Sequence, residues 1–136
     1  RNRDTEFSSG PGTGAPIFNQ YIGESSYLLD YIGKGFSGLY FSEKGDISDE
    51  IVALSDMLSV GEEKFTLVVI TRTSSQLKAG IIIEDRDGKI FSSYNAVNNS
   101  FYFVRPDRHV LARWKHINVE EVKQAFTHCL NGGRSE

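Results

Sequence analysis

The side chains best suited to nucleophilic or metal chemistry are few and scattered along this chain. Cys129 is the single cysteine, and the three histidines are His109, His116 and His128. No histidine pairs with another histidine or with the cysteine at the spacing of zinc ligands, and one cysteine forms no internal disulfide. Cys129 falls on a predicted apolar helix face, where a thiol behaves as a small hydrophobic group. The sequence therefore predicts no catalytic residue and no metal site.

Two further segments resemble ligand-binding motifs, one for a dinucleotide and one for calcium, in their residue types but not in their context. Residues 33–38 read G-x-G-x-x-G, but a dinucleotide site requires this motif to follow a strand and begin a helix. Here it follows a predicted helix and leads into a strand, so we predict a flexible turn. Glu84, Asp85 and Asp87 precede Gly88, but they offer too few oxygen ligands for a calcium loop, and we predict a solvated turn. No cofactor is expected on this chain.

The composition indicates one ordinary globular domain. The chain has 136 residues, of which 39% are hydrophobic and 24% charged, with a net charge of −3, as is typical of a folded domain. The negative charge argues against nucleic acid. No apolar run is long enough to span a membrane, and no signal peptide is present. A lone thiol without an export signal favours the cytoplasm, and a start at Arg1 rather than methionine suggests a fragment.

The predicted elements begin after a Gly- and Pro-rich stretch. Residues 1–16 lack periodicity and are predicted to be a linker or extended arm, whereas residues 17–136 are predicted to form the domain. Ser25 and Ser26 predict the start of a short helix over 27–32, ended by Gly33.

A strand over 36–41 is predicted to precede a helix capped by Asp46 or Ser48 and ended by Gly61. The apolar run 65–70 is typical of a strand buried on both faces.

The second half of the chain predicts a helical connection and a hairpin. Residues 89–95 are predicted to form one or two helical turns. Strands over 101–105 and 109–114 are joined by a turn containing Pro106. Asn118 predicts the start of the last helix, which Gly132 and Gly133 are predicted to end. The order β-α-β, then an irregular helical connection, then β-β-α requires a mixed sheet flanked by helices, an α/β fold with the thioredoxin-like order of elements.

The reactive residues of thioredoxin-like enzymes are replaced in this sequence. In those enzymes Cys-x-x-Cys lies between the first strand and its helix, where the helix N-terminus lowers the thiol pKa. The corresponding positions are Gly45 and Ser48, and residues 98–100 contain no proline at the place of the usual cis-proline. We predict that the chain cannot perform dithiol exchange.

One segment carries a more specific resemblance. Residues 103–114, FVRPDRHVLARW, resemble the closing hairpin in the C-terminal thioredoxin-like domain of FAD-dependent aromatic-ring hydroxylases, the phenol hydroxylase and 3-(3-hydroxyphenyl)propionate hydroxylase group. Its matching residues are Arg105, Pro106, Asp107, Val110, Arg113 and Trp114. Residues 10–16 and 28–36 agree more weakly. Gly38 departs from the family pattern and weakens a strand interior, and Arg108 is expected to need a left-handed φ at a cost of about 1 kcal/mol.

The resemblance implies the function of the parent protein rather than of this chain. The family hydroxylates aromatic rings with FAD, NAD(P)H and oxygen, at sites in an FAD-binding domain and a substrate domain that this sequence lacks. The predicted function is a non-catalytic accessory domain that packs on those domains of the same polypeptide or mediates a homodimer. The alternative is a stand-alone thioredoxin-like binding protein that recognises a protein or a small molecule.

The hairpin is predicted to be structural. Strand alternation places Val110, Ala112 and Trp114 on one face and Leu111 and Arg113 on the other. The single tryptophan is predicted to lie in the core, where its burial removes a large apolar area from water.

The hairpin arginines allow a second interpretation. Asp107 is predicted to accept hydrogen bonds in the turn and to pair with Arg105 or Arg113. The functional alternative is an anion site formed by Arg105, Arg108 and Arg113. We favour solvated arginines, because exposed arginines on a hairpin are usually hydrated.

Overall fold

The computed structural model describes residues 4–23, 25–32, 34–59, 64–73 and 80–135, with side chains omitted at a few of their ends. The strands and α-helices of this part of the chain are β1 (Tyr21–Gly23), β2 (Ser26–Tyr27), β3 (Phe36–Phe41), α1 (Asp49–Leu58), β4 (Phe65–Thr71), β5 (Ile81–Glu84), α2 (Lys89–Ser93), β6 (Phe101–Val104), β7 (Val110–Trp114) and α3 (Val119–Ser135). Short 3-10 helices cover Asp4–Glu6 and Leu28–Tyr31.

Five strands form the main sheet in the order β5-β4-β3-β6-β7. β3, β4 and β5 are parallel to one another, whereas β6 and β7 run antiparallel to their neighbours. Sheet, helices and hairpin confirm the predicted α/β class with a mixed sheet. β5 was not predicted as a strand; it adds a third parallel strand at one edge of the sheet.

Helices cover both faces of the sheet, so its central strands are buried on both sides. α1 and α3 cover one face through apolar side chains that include Ile51, Leu54, Val122 and Phe126. The other face is covered by α2 and by the 3-10 helix Leu28–Tyr31. β3 is buried along its full length, and β4 is buried from Leu67 onward, which confirms the prediction of a strand buried on both faces.

The predicted caps hold for α1 and α3, but the predicted end of α3 is wrong. Ser48 Oγ accepts a hydrogen bond from the Ile51 amide at 3.3 Å, and Asn118 Oδ1 accepts one from the Glu121 amide at 3.0 Å. α3 continues through the two glycines to Ser135. Glycine lowers helix propensity by about 1 kcal/mol per residue, but extension of an existing helix tolerates this cost. Gly61 and Gly33, the other predicted stops, lie outside the described residues.

The predicted short helix over 27–32 forms only in part, as a 3-10 helix at Leu28–Tyr31 whose N-cap is Tyr27 rather than Ser25 or Ser26. β2 pairs with β1, and only one 3-10 turn follows, at Leu28–Tyr31. Asp30 Oδ2 accepts a hydrogen bond from the Tyr27 amide at 2.8 Å, and the Leu28 amide donates to the Gln20 carbonyl at 2.8 Å. The first of these hydrogen bonds caps the 3-10 helix locally, and the second ties the segment to the chain before it. The pairing of β1 with β2 therefore shortens the predicted helix.

A bulge in the hairpin overturns the predicted alternation along β7. Val104 pairs with Val110, but the preceding residue Phe103 pairs with Ala112, so Leu111 is the additional residue. An additional residue moves the side chains on its two sides out of alternation. Val110 therefore joins the α2 face of the core, and Ala112 and Trp114 join the face covered by α1 and α3.

The amino-terminal arm lies along the edge of β7. The Gly14 amide donates to the Val110 carbonyl, and the Val110 amide donates to the Ala15 carbonyl, both at 2.8 Å. The Ile17 amide donates to the Arg108 carbonyl at 3.0 Å. The arm thereby satisfies backbone groups that an edge strand otherwise exposes. The domain boundary at residue 17 stays a prediction.

Candidate functional site

The turn of the resembling hairpin is fixed by Arg105 and Asp107. Arg105 Nη2 donates to Asp107 Oδ2 at 2.7 Å, and Arg105 Nε donates to Oδ1 at 3.1 Å. The hydrogen bonds from the guanidinium hold the pKa of the Asp107 carboxyl below its usual value. Pro106 occupies the turn, which closes with a hydrogen bond from the Arg108 amide to the Arg105 carbonyl at 2.9 Å. Arg108 has φ 68°, which confirms the expected left-handed conformation.

Arg113 lies in different surroundings and is not solvated as predicted. Its side chain is buried, with the residue 5% exposed. Nη1 donates to the Ser9 carbonyl at 2.8 Å and to the Tyr102 hydroxyl at 3.2 Å, and the ring of Phe7 covers the guanidinium. The predicted exposure fails because the arm folds back over the sheet. The pairing partner of Asp107 is Arg105, and the structure does not group Arg113 with the turn arginines.

Trp114 is fully buried, and its indole has an acceptor that sequence reasoning missed. Trp114 Nε1 donates to Glu121 Oε1 at 2.8 Å. Buried indole N–H groups usually have a hydrogen-bond acceptor. The acidic residues in the first turn of the following helix could therefore have been predicted as acceptors for Trp114. Val110 is also fully buried, and the hairpin residues that match the hydroxylase motif thus make contacts within this chain.

The predicted acidic turn is only partly solvated. Asp85 is 5% exposed, and its Oδ2 accepts a hydrogen bond from the Phe91 amide at 2.9 Å, which ties the turn to α2. Glu84 pairs with Arg86 at 2.7 Å near the surface. His116 and His128 are exposed. Across the described residues, no three His, Cys, Asp or Glu side chains come together in a way that could hold a metal ion.

The G-x-G-x-x-G letters lead into β3 rather than into a helix. The Phe36 amide donates to the Lys64 carbonyl at 2.8 Å, and that carbonyl oxygen lies only 2.3 Å from the place a Cβ would take on Gly35. The glycine therefore makes room for the chain that enters β4. No helix begins among the described residues of this motif, so they do not form the strand–turn–helix arrangement that a flavin or nicotinamide dinucleotide site requires.

A cleft of about 580 Å³ opens at the carboxyl end of β3. It includes the junction between β3 and α1, where thioredoxin-like enzymes carry their thiols, and the loop before β6. Its lining residues are Tyr40, Ser42, Glu43, Lys44, Asp46, Ile47, Ser48, Glu50, Ile51, Asn98, Asn99, Ile117 and Val119. Cys129 lies instead on α3, partly buried against the core, so the one thiol of the sequence is not in this cleft.

The topology of the sheet explains why a cleft forms at this place. From β3 the chain moves to β4 and β5 on one side, and it then returns to β6 on the other side. Such a switch point leaves a crevice outside the carboxyl end of the strand, where ligands of open α/β sheets bind. We therefore take this cleft as the candidate functional site.

Hydrogen bonds fix the loop before β6 against β3. The Tyr40 hydroxyl donates to Asn99 Oδ1, and the Asn99 amide donates to the Phe41 carbonyl at 2.7 Å. Asn98 Oδ1 accepts from the Glu43 amide at 2.8 Å. Asn99 has φ 76°, a left-handed conformation that asparagine tolerates better than most residues. The floor of the cleft is thus rigid and polar.

Comparison with known proteins shows the fold of the chain. No family model matches the sequence, and no curated protein matches it. Among solved structures, the chain is similar to the substrate-free rebeccamycin biosynthetic enzyme RebC, with a TM-score of 0.54 and 20% identity over 82% of this chain and 18% of RebC. The chain therefore spans less than one fifth of the length of that protein.

Peroxiredoxins have the same fold. The reduced 2-Cys peroxiredoxin of Plasmodium vivax gives a TM-score of 0.61 and 19% identity over 90% of this chain and 98% of the peroxiredoxin. The bacterioferritin comigratory protein of Xanthomonas campestris gives 0.55 and 13% over 85% and 89%. Together with the mixed sheet, these similarities confirm the predicted thioredoxin-like fold. In the part of the chain that the structure describes, the helices are too short or too polar to cross a membrane.

Proposed function

We propose that this chain is a non-catalytic accessory domain of a flavin-dependent aromatic-ring hydroxylase. The observation that carries the proposal is the replacement of the thiol positions of a thioredoxin-like fold by Gly45 and Ser48. The Ser48 hydroxyl caps α1, and Cys129 lies on another helix. A fold that keeps its architecture without its reactive groups serves recognition or packing.

The similarity to RebC supports a place within a longer flavoprotein. RebC has also been solved with reduced flavin, and in that structure the similar region covers 82% of this chain but 17% of RebC. The hairpin residues from Arg105 to Trp114 resemble the C-terminal domain of aromatic-ring hydroxylases, which agrees with a domain-sized similarity. Under this proposal FAD and NAD(P)H bind to other domains of the parent, in the cytoplasm, and this domain packs on them or mediates a homodimer.

The second candidate is a stand-alone thioredoxin-like binding protein. The observation that favours it is the peroxiredoxin comparison, in which a region similar to this chain makes up 98% of a whole chain. The fold can therefore exist without further domains. A stand-alone protein would bind its partner through the surface of this one domain.

The mass of the native protein distinguishes the two candidates. An antibody raised against the 136-residue chain should detect, in extracts of the source organism, a protein several times heavier than 15.2 kDa. That protein, once purified, should carry FAD and oxidise NAD(P)H in the presence of a phenolic compound. A native protein of the same mass as this chain would overturn the proposal and favour the stand-alone candidate.

A further inference from the structure

The cleft at the carboxyl end of β3 has three kinds of surface, and each restricts what can bind there. Its floor is polar. Tyr40 is 4% exposed, and burial raises the pKa of its phenol, so the phenol is neutral at physiological pH. Its proton is committed to Asn99, which leaves the phenol oxygen as a hydrogen-bond acceptor.

The walls of the cleft are apolar. Ile47 and Ile51 line it from the start of α1, and Ile117 and Val119 line it from the start of α3. Ile51 is buried, and the other three are partly buried against the same core. The aliphatic stem of a long basic side chain would lie against such walls while its charged end keeps polar partners.

The rim of the cleft carries an excess of negative charge. Glu43, Asp46 and Glu50 line the cleft together with a single cation, Lys44. The amino end of α1 contributes about half a positive charge. The start of α3 contributes about another half. Among the described lining residues, three carboxylates therefore outweigh roughly two positive charges, and the rim attracts a cation rather than a phosphate or carboxylate.

We propose that this cleft binds an arginine side chain presented by an extended protein segment. A guanidinium is planar and offers five donors, so it can donate both to the rim carboxylates and to the Tyr40 oxygen. The hydrogen bonds around Asn99 fix the floor before binding, and a preformed site loses little ordering entropy. The inference goes beyond the proposed function and holds for a domain of a larger protein or for a stand-alone protein, so its failure leaves that function untouched.

A titration with matched peptides tests the proposal. The ¹⁵N-labelled 136-residue chain is titrated with the blocked peptide Gly-Ile-Arg-Ile-Gly and followed by amide chemical shifts. The amides of Tyr40, Asn98 and Asn99 should shift with a common dissociation constant. A peptide with citrulline in place of arginine keeps the shape but not the charge, and it should bind about tenfold more weakly. Equal binding of the citrulline peptide would overturn the proposal.

Two matched substitutions, one just before α1 and one near its other end, show where the charge acts. Asp46→Asn removes a carboxylate from the rim, and the arginine peptide should then bind about threefold more weakly. Asp56→Asn makes the same change near the other end of α1, and binding should be unchanged. Equal effects of the two substitutions, or shifts confined to other surfaces, would show that the cleft is not the site.

A small cation tests whether the cleft recognises a protein segment or only a guanidinium group. Propylguanidinium should shift the same amides, but it should bind at least about tenfold more weakly than the peptide, because it lacks the flanking backbone and isoleucines. If propylguanidinium binds as tightly as the peptide, the cleft is a small-cation site and the proposed protein segment is wrong.

Discussion

The guanidinium carbon of Arg113 lies 4.1 Å from the ring centroid of Phe7, and this contact joins β7 to a residue far away in sequence. The same guanidinium donates to the Ser9 carbonyl at 2.8 Å. A buried cation needs acceptors and aromatic faces around it to offset the loss of hydration. Phe7 and Ser9 supply both, so the described part of the arm contributes to the burial of Arg113.

We expect Phe7→Ala to lower the free energy of unfolding by about 1–2 kcal/mol, since it removes a partly desolvated cation–π contact and part of the cover over Arg113. Urea unfolding measures this change. Phe7 contacts the ring of Tyr102 at 5.5 Å between centroids. Phe18→Ala is the matched control, because Phe18 contacts the ring of Tyr94 at a similar 5.4 Å but is 42% exposed. The prediction is wrong if the control destabilises the domain as much as Phe7→Ala does.

The sequence predicted those elements that depend on residues close together in the chain. The apolar run after residue 64 indicated β4, and Ser48 and Asn118 marked the starts of two helices. The burial of Arg113 depends on an arm that precedes it by about a hundred residues, which no local pattern reveals. The bulge at Leu111 depends on the register between two strands, and strand periodicity alone does not report it.

The candidate site was harder to predict than the fold. Its residues come from β3, α1, the loop before β6 and the start of α3, and none of these segments carries a motif. The sequence itself shows Gly45 and Ser48 in place of Cys-x-x-Cys at the junction of β3 and α1. It gave no sign that the same place forms an open cleft, because the cleft results from the strand order of the whole sheet.

Trp114→Ala should lower the free energy of unfolding by about 3–5 kcal/mol, the usual cost of removing a fully buried aromatic side chain. Glu121→Gln should cost less, about 1 kcal/mol, because the glutamine oxygen can still accept the indole hydrogen bond. Denaturant unfolding of both variants measures the difference. A small effect of Trp114→Ala would show that the hairpin contributes little to the stability of the domain.

Gly38→Ala should destabilise the domain by about 1–3 kcal/mol through overpacking. A Cβ on Gly38 would lie 2.6 Å from Phe101 Cζ and 2.8 Å from Phe65 Cζ. Phe101 is fully buried, and Phe65 is partly buried against the same core. This close packing explains a glycine inside β3, where the family resemblance predicted another residue.

Gly14→Ala is the control for Gly38→Ala. No atom lies within 4 Å of a Cβ at Gly14, but its φ is 88°. Only backbone strain is expected there, at about 1 kcal/mol. Thermal unfolding of the two variants should therefore rank Gly38→Ala as the more destabilising, and the reverse order would contradict the packing explanation.

The turn of the hairpin should make a small, acid-sensitive contribution to stability. Hydrogen bonds from Arg105 lower the pKa of Asp107 in the folded protein, so the folded state favours the ionised carboxylate. The resulting stabilisation is complete above the unfolded pKa of about 3.9, and it is lost as the pH falls through the lower folded value. The side chains of Arg105 and Asp107 are 38% and 54% exposed, so solvent screens the pair and we expect less than about 1 kcal/mol.

Asp107→Asn tests this linkage, because asparagine can still accept the hydrogen bond that the His109 amide donates to Oδ1 at 3.1 Å. The variant should be less stable than the wild type at pH 6, and the difference should shrink as the pH is lowered below 4. The same substitution in an Arg105→Gln background should have little effect at either pH, since the pair is already broken. Urea unfolding of the four proteins completes the cycle, and a pH-independent effect of Asp107→Asn would assign the role of Asp107 to turn geometry rather than to its charge.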